Sequence, residues 1–256
     1  MRPDRQRTRR QRRRPGGSRS HLRGLHAGTQ ARGAGNRHAA ARKLRSGSAS
    51  EPARKRRTPS PPAARAQAGG HRSFLVKIAV FCGSSRHCDP RFLEPARQLG
   101  AEISLRGHVL VYGGGRSGLM GAVADTALAQ KGRVEGVIPR NFMGEGAHHL
   151  ALDELQVVDD MRARKAAMDA RAQAFIALPG GCGTLEELTE ILSFRKLGLH
   201  HRLLVLLDTD GFFDGLAVQI NRAVAEGFDS TKSLDYFRVA RDARDAVDLC
   251  EGSIRD

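Results

Sequence analysis

The chain has 256 residues, 43 Lys and Arg against 27 Asp and Glu, and a formal charge of +16, but the basic excess is confined to residues 1–72, which hold 21 Lys and Arg against only Asp4 and Glu51. Residues 73–256 are slightly acidic, which excludes reading the folded part as a basic nucleic-acid-binding domain. There is no apolar run near the roughly 18 residues of a membrane helix, no secretory core behind the basic N-terminus, and no zinc spacing among Cys82, Cys88, Cys182 and Cys250, so a reduced, cytoplasmic, metal-free protein is expected.

Residues 1–72 are rich in Arg, Gly, Ser, Pro and Ala and nearly devoid of large apolar side chains. Such a segment cannot bury enough surface to offset its ordering entropy, so a disordered tail is expected. Three origins stay open for it: a basic arm for nucleic acid, a targeting peptide, or a start codon set too far upstream. It carries no Phe, Tyr or Trp on which a base could stack.

The folded part, residues 73–256, opens with Phe74 to Phe81, a continuous apolar run broken by one Lys, which suits a buried parallel strand. It ends in Cys82-Gly83-Ser84-Ser85, a small polar turn. Asp89 and Pro90 have the order of N-cap and first helical residue, and a helix follows to about Gly107, with Pro95 pushing its start later. His108 to Tyr112 is a second strand, entering the glycine-rich turn Gly113 to Gly121 and a small apolar helix over Ala122–Gln130. Val134 to Pro139 is a third strand, and this alternation predicts a doubly wound parallel sheet.

Residues 140–153 read as a loop holding Glu145, His148 and His149. The His pair invites a metal, but adjacent residues cannot both face one ion from a regular element. Leu155 to Val158 is a fourth strand, and Asp159 or Asp160 caps a helix with Arg164 and Lys165 in its first turns. Cations are disfavoured there by the helix dipole, so an anion to meet them is expected, against the alternative of a solvated basic face. Ala174 to Leu178 is a fifth strand, followed by Pro179-Gly180-Gly181-Cys182-Gly183-Thr184-Leu185-Glu186-Glu187 and a helix through Leu188, Ile191 and Leu192. A strand, glycine turn and helix N-terminus suit a phosphate. Thr184 is expected either to cap that helix, with Glu187 completing a capping box, or to bond a phosphate oxygen. Leu203 to Leu207 is a further strand, Asp214 to Gly227 an amphipathic helix, and Val239 to Cys250 a final helix.

Three motifs in one order, Gly113 to Gly121, Met161-Arg162-Ala163-Arg164-Lys165 and Pro179 to Glu187, resemble those of the LONELY GUY (LOG) family, whose pattern PGGxGTxxE is matched at every fixed position. The resemblance spans about residues 74–250. It implies a Rossmann-like α/β fold, dimers or larger assemblies, and hydrolysis of the N-glycosidic bond of cytokinin riboside 5′-monophosphates, and often AMP, with no cofactor. It implies Arg164 and Glu187 as the essential pair. Lys165, Gly180, Gly181, Cys182, Gly183, Thr184 and Glu186 fall among its substrate-binding matches, Glu145 near another substrate-contacting glutamate, and Gly83, Ser84, Gly113, Gly114 and Gly115 on the other rims. The family's Trp after the motif is replaced in Ser193-Phe194-Arg195-Lys196, and its Lys-Pro by Arg202-Leu203, departures that bear on base preference and assembly.

Breaking a ribosyl C–N bond builds positive charge on the sugar, which a nearby carboxylate stabilises. Glu186 and Glu187 diverge by about 100° on a helix, so Glu187 is assigned to the reacting centre and Glu186 to ribose hydroxyls. Arg164, always charged, suits phosphate or leaving-base contact rather than acid catalysis. Cys182 reads as a small turn residue rather than a nucleophile.

Overall fold

A computed structural model describes residues 74–144, 146 and 148–255. The tail expected over 1–72 and the residue Glu145 lie outside the described residues. Among the described residues there are seven strands: β1 Lys77–Phe81, β2 Val109–Tyr112, β3 Arg133–Pro139, β4 Glu154–Val158, β5 Ala174–Ala177, β6 Leu204–Leu207 and β7 Phe237–Ala240. Six α-helices join them: α1 Leu93–Leu105, α2 Gly118–Ala129, α3 Met161–Arg171, α4 Cys182–Lys196, α5 Asp214–Ala225 and α6 Ala243–Arg255.

The sheet runs β4-β3-β2-β1-β5-β6-β7, and every neighbouring pair is parallel. The apolar runs make this possible, because a central parallel strand is covered on both faces. On β1, Ile78 and Val80 pack with α1, α2 and α6. The alternate residues Ala79 and Phe81 pack with Met168 of α3 and with Leu188 and Ile191 of α4. The result is the expected doubly wound, Rossmann-like sheet.

From β1 the chain winds outward to β4, then crosses back to lay β5 on the other side of β1, with Phe81 beside Ala177. The loops after β1 and β5 therefore depart to opposite faces, and the crevice between them is where such sheets bind ligands.

Several boundaries differ from the sequence reading. Val239 and Ala240 belong to β7, not to the last helix; Phe237 to Ala240 pairs with β6, and Asp242 starts α6 by accepting from Asp245 N at 2.8 Å. The Asp89–Pro90 start is a short 3-10 turn, Pro90–Phe92, capped by Asp89, and α1 begins at Leu93. Helix α2 begins at Gly118, four residues before the expected Ala122. Asp160 is the cap of α3, accepting from Ala163 N. Thr184 is not a cap: α4 starts at Cys182 with Gly181 as N-cap, which puts Thr184 inside the first turn and dissolves the capping box.

Candidate active site

The glycine motif is held against the β1 turn by backbone contacts. Gly83 N donates to Pro179 O at 3.0 Å, and Gly83 O accepts from Leu119 N at 2.9 Å. Ser117 Oγ donates to Ser84 O at 2.9 Å, so three strand-end loops are tied together. A Cβ on Gly180 would lie 2.1 Å from Thr184 Oγ1 and 2.9 Å from Gly83 N, so only glycine lets the loops approach this closely. At Gly181 and Gly183 the Cβ position faces open space, leaving the backbone at the start of α4 approachable by a ligand.

These loops enclose a cavity of about 710 Å³. Its polar lining comes from Gly83, Ser84, Gly181, Gly183 and Thr184, and its apolar wall from Met120, Ile138, Pro139, Phe142 and Met161. Arg164 and Glu187 lie in the wall, both buried, with Nη1 of the arginine 3.4 Å from Oε1 of the glutamate. Burial pushes the Glu187 carboxyl up to about 7, against the pull of Arg164. A carboxyl poised there exchanges protons near neutral pH, which suits an acid–base role. The guanidinium closely abuts the β2 turn: a Cβ on Gly113 would sit 1.7 Å from Nη2 of Arg164. Nε of Arg164 is buried with no protein partner.

The other expected residues take several places. Gly115 lines the cavity and pairs with His148 in an isolated bridge. Gly114 lies behind the wall against Ile138, at φ 72°. Glu186 is on the wall, but its carboxylate is engaged by Lys165, which also binds Glu190. The anions met by Arg164 and Lys165 in α3 are thus carboxylates of α4, and Lys165 is not itself on the wall. Cys182 is exposed at the first position of α4 and is not among the residues lining the cavity. The sequence did not single out Cys82, which lines the cavity and whose thiol is raised well above its usual range by burial and by Glu187. The apolar wall was also missed, because its residues come from four separate segments and only folding assembles them. Of the His pair, His149 is bonded to Asp125 at 2.8 Å.

Comparison with known proteins now settles the family. A family model described as "Possible lysine decarboxylase" matches residues 120–250. The probable cytokinin riboside 5′-monophosphate phosphoribohydrolase LOGL9 of Oryza sativa subsp. japonica is 41% identical over 183 residues, 72% of this chain and 81% of its own. The cytokinin riboside 5′-monophosphate phosphoribohydrolase LOG7 of Arabidopsis thaliana is 43% identical over 176 residues, 69% of this chain and 81% of its own. The chain belongs to the LOG family.

The LOG-family chain shares its fold with a molybdenum cofactor binding protein from Rippkaea orientalis, at 24% identity and a TM-score of 0.56 over 71% of this chain and 98% of that one. The molybdenum cofactor carrier protein of Chlamydomonas reinhardtii gives 22% and 0.55 over 72% and 100%. At this identity the likeness is one of fold alone. The wording of the family description finds no support in the site: Lys165 is committed to two carboxylates, and no lysine among the described residues lines the cavity.

The structure also explains where this LOG-family chain departs from its pattern. Arg195 lies away from the cavity and donates to the carbonyls of Arg202 and Tyr236, tying α4 to β6 and β7. Lys196 pairs with Asp229. Arg202 caps the end of α3 through the Asp169 and Ala172 carbonyls and stacks over Phe175. Arg195, Lys196 and Arg202 do not line the cavity; their contacts join α3 and α4 to the segments that lead into β6 and β7.

Proposed function

We propose that this protein hydrolyses the N-glycosidic bond of cytokinin riboside 5′-monophosphates, and of AMP, to free base and ribose 5-phosphate. The observation that carries this reading is the buried Glu187, facing Arg164 across 3.4 Å in the same cavity as the open glycine backbone of α4. The glycine backbone and helix N-terminus take the 5′-phosphate. The apolar wall of Met120, Ile138 and Met161 takes the base. Glu187 then lies beside the ribose.

The C1′–N bond breaks with its electron pair leaving on the base, which is protonated as it departs. Water adds its oxygen to C1′ and gives up a proton. Glu187 in its carboxylate form stabilises the positive charge on the sugar and accepts that proton, and its raised basicity suits the task. Arg164 keeps Glu187 oriented and, as a residue of the cavity wall, meets the substrate with its guanidinium. Glu186, held on the cavity wall by Lys165, is the carboxylate we assign to the ribose hydroxyls.

We place this activity in residues 73–256, in the cytoplasm, and in a homodimer. Leu197, Leu199 and Phe228, large apolar side chains left strongly exposed near the end of α4, favour an association of chains. Among the described residues no helix is long and apolar enough to cross a membrane.

The test is incubation with isopentenyladenosine 5′-monophosphate and with AMP, reading free base and ribose 5-phosphate. Release of base with equimolar ribose 5-phosphate is expected. Tight binding with neither base released would instead mark a nucleotide-binding protein without catalysis.

A further inference from the structure

The charges of the cavity do not yet account for a phosphate. Of its basic wall residues, Arg164 already faces Glu187, and the neighbouring Lys165, behind the wall, is shared between Glu186 and Glu190. A phosphate monoester carries close to two negative charges at neutral pH. The helix N-terminus compensates about half of one. One more cation is therefore needed that no carboxylate has already neutralised.

Arg86 meets that requirement. It lines the cavity, and among the described residues it has no ion-pair partner. It stands on the loop after β1, three residues beyond Gly83, whose N–H is bonded to Pro179 O and whose Cβ position lies 3.3 Å from Gly180 Cα. That loop is fixed further by Ser117 Oγ on Ser84 O and by His87 N on Ser85 Oγ. The loop that carries Arg86 is thus braced beside the turn that opens α4. Arg86 itself is exposed, so placing it there costs little desolvation. Its planar fork matches two phosphate oxygens.

Resting on the reading of the substrate as a nucleoside 5′-monophosphate, we propose that Arg86 is the counter-charge that grips its 5′-phosphate. Arg86 is a binding residue: it contributes equally to the ground and transition states, and so acts on KM rather than on kcat.

The experiment compares wild type, Arg86→Ala and Arg86→Lys in two readouts: steady-state hydrolysis of AMP, and calorimetric titration with ribose 5-phosphate, using adenosine as the phosphate-free control. In Arg86→Ala, KM and the ribose 5-phosphate dissociation constant should rise about tenfold, the scale of one charge-assisted contact. In the same variant kcat should stay within about twofold and adenosine affinity should not change. Arg86→Lys should recover part of the loss, and added salt should weaken wild type more than Arg86→Ala. Unchanged KM and affinity in Arg86→Ala would overturn the proposal while leaving the activity standing. So would a fall in kcat at constant KM. Absence of both base release and ribose 5-phosphate binding in wild type would overturn the activity and the proposal together.

Discussion

Two buried carboxylates, one on strand β3 and one on helix α4, meet opposite fates. Glu135 lies on β3 toward the N-terminal ends of the strands, fully buried, with Lys77 Nζ at 2.8 Å and Arg171 Nη1 at 2.9 Å. Burial alone would raise its pKa, but the hydrogen bonds from Lys77 and Arg171 outweigh that and hold it below the usual carboxylate value. Glu187, at the C-terminal edge, has the single Arg164 at 3.4 Å, and burial prevails. Full neutralisation makes a structural joint. Partial neutralisation leaves a carboxyl that changes protonation near neutral pH, at the edge where the loops bind ligands.

The sharpest way to test that contrast is the pH dependence of stability. Glu187 has a folded pKa raised from 4.5 to about 7. Its contribution is fully present below pH 4.5 and is lost as pH rises through about 7, a difference of about 3 kcal/mol. Glu187→Gln should therefore match wild type at pH 4 and exceed its unfolding free energy at pH 8 by up to about 3 kcal/mol, measured by urea denaturation. Glu135 has the opposite sign: its stabilisation is present above the unfolded carboxylate value and is lost as pH falls through its lowered one.

Gly113→Ala should come next in size. The added Cβ occupies the place of Arg164 Nη2, and moving the guanidinium should lower kcat/KM for AMP by about 10²-fold, the scale of an ångström-sized misplacement, with far-UV circular dichroism unchanged. Glu135→Gln should cost about 2 kcal/mol of stability at pH 7, less than a fully buried pair because Lys77 and Arg171 are partly exposed. Its kcat should stay within about twofold of wild type, since Glu135 does not line the cavity. A loss of activity in Glu135→Gln without loss of stability would erase the distinction between the two carboxylates.

The sequence made the central strands legible, because apolar runs such as Ile78 to Phe81 and Leu203 to Leu207 have one natural place in a covered parallel sheet. Both glycine turns were legible too, and so were Arg164 and Glu187 through the family motifs. Strand β7 was not: Arg238 interrupts a short segment at the sheet edge, and the Asp242 cap that separates it from α6 was overlooked. Arg164 and Glu187 stand 23 positions apart on different helices, so their meeting is a fact of the crossover between β4 and β5. The Glu135 joint did leave a trace, a lone Lys77 in one apolar run and a lone Glu135 in another. Charges of opposite sign inside buried strands of one sheet, here β1 and β3 on either side of β2, are a signal that pairing can be sought.

The most direct measurement is release of free base by wild type and Glu187→Gln side by side at pH 8, with ribose 5-phosphate affinity determined on the same samples. The account predicts base release by wild type and a loss of about 10³-fold in kcat for the variant, the scale of a lost transition-state electrostatic contact, with affinity kept within a few-fold. A Glu187→Gln variant that releases base at the wild-type rate would contradict it.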